Sequence, residues 1–314
     1  MQEKYSKGSI IGAGTYGTVY RAREKVTGRQ FAIKKIVVDK YSFDNGIPAS
    51  TMREIGVLIE LDQFKHPNIV GVHEIIHEDR SISIVFECVD WDLRTYMDSL
   101  KKSGYKPKGL RNGGLPGPLV KSFTRQLLDA LRFCHQYKII HRDIKPSNIL
   151  LAKNGVIKLA DFGLSRSHSI CDRTYCHEIV TLWYRAPEIM LGSPSYGTAV
   201  DIWSTGCIAY EMVMTMPSCI FLRLPVMYCF LGIAKLINCF KFFESTPTDE
   251  TWPGVKCMPD YNEEFPKFRP NFFAQREVTK EFQAFIQVGV YVHCIQLHTP
   301  EFVHHLPVFY SRKC

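Results

Sequence analysis

The run Ile11-Gly12-Ala13-Gly14-Thr15-Tyr16-Gly17-Thr18-Val19 restricts the fold of this chain more than any other stretch. It has the form GxGxxGxV, in which glycines let a strand-turn-strand flap lie close over phosphates and offer backbone N–H groups without side-chain clashes. Taken alone, the spacing fits a plain tight hairpin nearly as well. The residues after the turn narrow the choice. No helix opens after Gly17, as a dinucleotide-binding fold requires; more strand comes instead, with Ala32-Ile33-Lys34 at its end.

The surrounding pattern places this flap in a strand-rich region. Residues 9–38 hold two β-rich runs around the glycine turn, then FAIKKIVV, whose branched residues suit a third strand. Pro48 followed by ASTMREIGVLIEL predicts a helix, with Met52, Ile55 and Ile59 at helical spacing. IVGVHEII and ISIVFECV read as two further strands. Beyond them LVKSFTRQLLDALRFCHQY places Phe123, Leu127, Leu131 and Cys134 on one face of a long helix. A small strand-rich lobe and then a helical one is the architecture this order predicts.

A chain of 314 residues is long enough for two such lobes. The hydrophobic share of 46% against 22% charged excludes a disordered or collagen-like chain. The net charge of +8 is uneven: residues 1–214 carry 29 basic and 22 acidic side chains, the rest 10 and 9. Five of those basic groups fall in residues 101–114, a glycine-containing stretch with no acid. It is either a solvated loop or a docking patch for an acidic partner. The excess therefore points to one basic loop, not to a nucleic-acid-binding protein.

The first residues, MQEKYSKGSI, lack the apolar core of a secretory signal, so the eleven cysteines read as reduced intracellular thiols. Residues 218–240 are apolar but interrupted by Arg223, Pro225 and Lys235. Their longest charge-free run, Leu224 to Ala234, covers only about half a bilayer, so no membrane span is expected.

Three more motifs come in order: His141-Arg142-Asp143-Ile144-Lys145-Pro146-Ser147-Asn148, then Asp161-Phe162-Gly163, then Ala186-Pro187-Glu188. Singly each is ordinary; Lys34 alone fits a surface strand, and Asp161 alone fits a turn. Together with the glycine flap they resemble the protein kinases. The resemblance implies an α+β, bilobal kinase-like fold with a small β-rich N-lobe and a larger, mainly helical C-lobe. It implies ATP and Mg²⁺ as cofactors.

The roles it implies match the needs of phosphoryl transfer, which asks for positioning and charge neutralisation more than covalent work. Lys34 would hold the α- and β-phosphates, and Glu54 would fix Lys34 through an ion pair. Asn148 and Asp161 would bind the metal through hard oxygens. Asp143 would orient the attacking hydroxyl and accept its proton. Lys145 would neutralise charge on the transferred group, and a lysine there is the serine/threonine kinase pattern. Thr181 stands with the catalytic residues. The nucleotide site would comprise residues Ile11 to Val19 of the flap with Ala32 and Lys34. The hinge would add Phe86 as gatekeeper and the backbones of Glu87 and Val89 towards adenine.

Pro48-Ala49-Ser50-Thr51-Met52-Arg53-Glu54 looks like the PSTAIRE helix of the cyclin-dependent kinases, so residues 48–53 and Ile55 are the expected contacts with a cyclin. Residues 181–188, TLWYRAPE, and 201–207, DIWSTGC, are similar to that group as well. Thr15 and Tyr16 match flap positions whose phosphorylation inhibits these kinases; simple flap packing is the other reading. The resemblance divides the chain into an N-lobe over 4–88, a C-lobe core over 89–214, and a partial match over 240–273. Residues 215–239 and 274–314 diverge from it.

Three departures stand out. The family's activating threonine is replaced by Cys176, although Arg53, Arg142 and Arg166 match the arginines that clamp its phosphate. A phosphate on Thr174 instead would sit about 7 Å away along an extended strand. Met52 replaces an isoleucine of the cyclin-binding helix. After Met212 the chain turns apolar and proline-punctuated, and the late arginine that pairs with the glutamate at 188 has no assignable match. Two groupings could suggest a metal, residues 168–177 and the histidines at 293–305; the spacing of the first matches no zinc pattern. For the second, an alternatively spliced tail is the simpler reading.

The expected function is that of a cyclin-dependent-type serine/threonine kinase of cell-cycle or transcription control, in the nucleus or cytoplasm. Its partners would be a cyclin-type subunit and protein substrates, with neither direct nucleic-acid nor membrane binding. Ile179, Val180 and Arg185 match residues that select a proline after the target. The alternative is a weakly active or non-catalytic decoy that binds a cyclin.

Overall fold

A computed structural model describes residues 3–14, 17–37, 49–78, 81–105, 114–167, 183–193 and 196–214, and most of 248–265. In chain order the strands are β1 (Tyr5–Gly14), β2 (Gly17–Glu24), β3 (Gln30–Val37), β4 (Val72–Glu78), β5 (Ser81–Glu87), β6 (Trp91–Asp92), β7 (Ile139–Ile140), β8 (Ile149–Leu151), β9 (Ile157–Leu159) and β10 (Arg166–Ser167). The helices are α1 (Ala49–Asp62), α2 (Leu93–Lys102), α3 (Gly117–Gln136), α4 (Pro187–Met190) and α5 (Ala199–Met214). Two compact units result: Met1–Tyr96 with Pro146–Arg166, and Met97–Lys145 with Ser167–Cys314.

The first unit is built on an antiparallel sheet of order β1-β2-β3-β5-β4. Alternation along β3 sends Phe31 and Ile33 inward, where they meet Tyr5, Ala22 and Val85. Phe31 lies edge-on to Tyr5 at 5.8 Å between ring centroids and stacks on His73 at 4.6 Å. The β4 strand begins at Val72, three residues after the start of the predicted run. Ile69 and Val70 serve elsewhere: Val70 N–H donates to Leu159 O at 2.9 Å, and Leu159 N–H donates to Asn68 O at 2.8 Å. These bonds tie the segment before β4 to the small sheet β6-β8-β9.

Helix α1 forms where predicted, but two apolar stripes compete for its inner face. Val57, Leu58 and Leu61 are buried, while Met52 and Ile59, seven residues apart, are exposed. Helical spacing groups residues into faces and does not say which face turns inward. Pro48 lies outside the described residues.

Helix α2 starts on Asp92, whose carboxylate accepts the N–H of Thr95 at 2.9 Å and its hydroxyl at 2.6 Å. That cap satisfies a donor with no helical partner, and Lys101 and Lys102 complement the dipole at the far end. In the second unit, α3 buries Phe123, Leu127, Leu131 and Cys134 on one face, as its periodicity predicts. Each large apolar side chain so buried contributes about 1.5–3 kcal/mol. Helix α3 packs against α5, and Leu115 N–H donates to Met212 O at 2.7 Å beside them.

Within the second unit, part of the expected partial match forms a core of its own. Trp252, Val255 and Phe265 close around Leu191 at the end of α4, and Asp260 N–H donates to Leu191 O at 3.0 Å. Glu188 in α4 is buried and is not without a partner. Residues 215–239 and 274–314 lie outside the described residues. Among the described residues no helix is long and apolar enough to cross a membrane.

Candidate active site

The glycine flap is the hairpin of β1 and β2, with Gly12 opposite Val19, Ala13 opposite Thr18 and Gly14 opposite Gly17. Gly17 has φ +145°, and a Cβ there would lie 2.5 Å from the Lys35 carbonyl oxygen. Only glycine fits that place. Ile11 is exposed, Thr18 and Val19 are half-buried, and Thr15 and Tyr16 at the turn lie outside the described residues.

Sheet pairing then brings the other expected nucleotide residues into register. Val19 faces Lys34 across β2 and β3, and Ala32 faces Phe86 across β3 and β5. Phe86, Glu87 and Val89 are all half-buried. Phe86 and Glu87, the residues expected to act as gatekeeper and hinge, therefore end β5 in the same ladder that carries the lysine.

Lys34 is buried, and its Nζ lies 3.0 Å from Asp161 Oδ1. Asp161 occupies a left-handed backbone conformation, φ 64° and ψ 73°. The adjoining Phe162 is fully buried, and its turn packs on α1. The turn thus anchors one residue inward and leaves the preceding carboxylate partly exposed. Asn148 is buried, and its carbonyl accepts the Ala160 N–H at 2.9 Å, next to Asp161. Glu54 sits on α1, but its side chain lies outside the described residues, as do those of Ala49, Ser50, Thr51, Arg53 and Arg166. Thr181 and Cys176 also lie outside them.

In the second unit, the segment from His141 to Lys145 is organised by one acid. Asp201, near the start of α5, is 1% exposed. Its Oδ2 accepts the His141 N–H at 2.9 Å and lies 2.9 Å from His135 Nε2, while Oδ1 accepts the Arg142 N–H at 2.8 Å. Burial alone pushes this carboxyl's pKa up; the His135 hydrogen bond, the two histidines and the Arg142 N–H outweigh it and hold it below the ordinary value. Arg142 needs that grip, because its backbone is left-handed at φ 70°.

Asp143 comes next, buried, with its N–H on His141 Nδ1 at 3.2 Å and its Oδ2 2.6 Å from Lys145 Nζ. A fixed carboxylate can receive a hydroxyl proton, and an ammonium beside it can offset negative charge on a transferred group. The guanidinium of Arg142 lies over the Tyr196 ring at 5.6 Å.

The sequence motifs name the chemical side chains but give no role to Asp201, which enters only as part of the run DIWSTGC. Its signal is weak: it is one of two acids, with Glu211, inside the largely apolar helix AVDIWSTGCIAYEMVM. The residues present fit a nucleotide with a divalent cation. The flap has no Cβ at Gly12, Gly14 or Gly17, Lys34 supplies a cation, and Asp161 and Asn148 carry hard oxygen donors. A family model of the protein kinase domain matches residues 5–250. The match begins at the first residue of β1 and runs past α5, covering both the flap and the segment held by Asp201. This chain belongs to the protein kinase family, whose members transfer a phosphoryl group from ATP with a divalent metal ion.

Proposed function

We propose that this kinase is of the cyclin-dependent type, uses MgATP and phosphorylates serine or threonine, preferentially before proline. The observation that carries the reading is the pairing of Lys34 Nζ with Asp161 Oδ1 at 3.0 Å, directly across the ladder from the flap strand. A cation and a hard-oxygen carboxylate stand together where phosphates and a metal are to be received. Lys34 holds the α- and β-phosphates, with Glu54 as its support, and Asp161 and Asn148 hold Mg²⁺. Bound there, Mg²⁺ supplies charge neutralisation for the phosphates. Asp143 orients the target hydroxyl and takes its proton, and Lys145 offsets charge on the group in transfer. Thr181 assists this set.

The serine/threonine and cyclin-dependent assignments are supported by Lys145, by residues 48–54 and by the outward face of α1. Met52 and Ile59 are exposed there, and Ile55 is half-buried. An apolar stripe turned to solvent on the helix that packs against the Phe162 turn suits a cyclin-type partner whose binding adjusts that helix. With Cys176 unable to carry a phosphate, such a partner orders the activation segment in this reading. Control of the cell cycle or of transcription, in nucleus or cytoplasm, is the corresponding setting.

The test is phosphate transfer to a serine-proline peptide by the full chain, with and without a panel of cyclins, beside an Asp143→Asn control. Transfer above the control with at least one cyclin is expected. Cyclin binding with no transfer above the control would favour a non-catalytic decoy.

A further inference from the structure

One short stretch of chain holds Arg142 from two sides. The Arg142 N–H donates to Asp201 Oδ1 at 2.8 Å, and the guanidinium carbon lies 5.6 Å from the centre of the Tyr196 ring. Only Gly197 to Val200 separate Tyr196 from Asp201. The turn between them is closed by the Val200 N–H on Gly197 O at 3.4 Å and the Asp201 N–H on Thr198 O at 3.1 Å. Ring and carboxylate therefore reach Arg142 from the same entry into α5.

Both members of the side-chain contact lie inside the second unit, Arg142 with 2% of its surface exposed and Tyr196 with 3%. A cation taken out of water needs compensation. The face of an aromatic ring is negative, and its attraction for a guanidinium grows when water is excluded. The main chain makes a second demand. A φ of 70° at a residue with a Cβ costs energy and persists only where the surroundings over-determine it. The Asp201 bond fixes the peptide that enters Arg142, and the Tyr196 ring fixes the direction in which its side chain leaves. Asp143 follows directly on this restrained residue.

We propose that Tyr196 is a positioning residue for phosphoryl transfer: its ring face holds the Arg142 guanidinium, so that residue 142 keeps its left-handed conformation and the Asp143 carboxylate keeps its place beside Lys145. The inference rests on the kinase reading above and deepens it. In that reading Cys176 brings no phosphate to Arg142, and the ring is a counterpart that the fold itself supplies. Tyr196 acts through Arg142 and not on the reacting atoms.

The experiment uses the full chain with the cyclin that gives most transfer to the serine-proline peptide. It compares Tyr196→Phe, Tyr196→Leu, Arg142→Met and the double variant. kcat and KM for ATP are measured, with amide hydrogen exchange of the chain over residues 141–145 and over α3. Tyr196→Phe keeps the ring face and should hold kcat within about twofold. Tyr196→Leu should lower kcat about tenfold, the scale of one buried cation–π contact, with KM for ATP within about twofold. Exchange at residues 142 and 143 should quicken about tenfold while that of α3 stays unchanged. The double variant should transfer no more slowly than Arg142→Met alone, since both changes break one contact. Should Tyr196→Leu fail to fold, Tyr196→Met, which fills more of the space without a ring, replaces it.

Unchanged kcat and local exchange in Tyr196→Leu overturn the proposal. So does an equal loss in Tyr196→Phe, quickened exchange spread evenly over α3, or losses that multiply in the double variant. If no cyclin elicits transfer above the Asp143→Asn control, the catalytic reading fails and exchange alone decides the contact. Quickening confined to residues 142 and 143 in Tyr196→Leu then upholds the grip on Arg142, and its absence overturns it.

Discussion

Lys34 and Asp161 hold each other at 3.0 Å across 127 residues of chain. The carboxylate is 44% exposed, so the pair is screened and exchangeable rather than a strong staple. Phosphates can take over the lysine, and a divalent cation can take over the carboxylate, without either charge losing a partner. Lys34→Met should therefore weaken MgATP binding about tenfold or more and bring transfer to the background, while shifting stability by about 1 kcal/mol or less. Nucleotide titration beside urea unfolding checks both halves.

Asp143→Asn should separate binding from chemistry. The side chain keeps its shape and loses its capacity to take a proton, so transfer should drop by roughly 10²- to 10⁴-fold. Affinity for MgATP should remain within about twofold, since Asp143 has no assigned contact with the nucleotide. Single-turnover transfer and equilibrium binding give the two numbers.

The buried Asp201 makes a pH prediction. Its pKa in the folded chain lies below the ordinary 3.8, so folding favours the carboxylate. Its contribution to stability is complete above about pH 4 and is lost as pH falls through the lower folded value. Asp201→Asn, which cannot titrate and turns an amide donor towards one of its three donors, should cost about 1–3 kcal/mol near neutral pH. Below pH 4 the gap to wild type should narrow. Urea midpoints from pH 7 down to pH 2 test the sign; a gap that widens in acid contradicts it.

The outward face of α1 predicts a variant that affects only the partner. Met52 is 52% exposed, so Met52→Glu should leave stability within about 0.5 kcal/mol. It should weaken cyclin binding about tenfold or more, by setting a charge in an apolar contact. Calorimetric titration with a cyclin panel measures it. Met52→Ile should keep affinity and alter which cyclin is preferred.

If a partner orders the activation segment, restoring a phosphate acceptor there gains little. Cys176→Thr, treated with an activating kinase, should leave cyclin-stimulated transfer nearly unchanged. A large rise would show that the arginines expected to clamp a phosphate still depend on that anion.

The legible part of the sequence is local. Gly17 announces a backbone that only glycine adopts, and the 3.6-residue period places Phe123, Leu127, Leu131 and Cys134 together on α3. Aspartates 143 and 161 stand in runs whose spacing is itself the signal. Relations across long stretches of chain are not legible. Asp201 grips a segment some sixty residues earlier, and nothing near either residue reveals the other. The carboxylate of Glu87 turns to Gly71 and Lys158, although its motif points only to its backbone. On α1 the period is right, but it cannot choose between Leu58 with Leu61, which face inward, and Met52 with Ile59, which do not.

The bonds from His141 and Arg142 to Asp201 carry a consequence for motion. Amide hydrogens in a catalytic segment ordinarily exchange with solvent through small local openings. Here those of residues 141 and 142 end on a carboxylate inside the helical core, so releasing them means exposing an ionised acid to a dry interior or opening α5. Their exchange should be as slow as that of the α3 and α5 amides. The place where chemistry is expected would then share the slow clock of the core rather than the fast one of a surface loop.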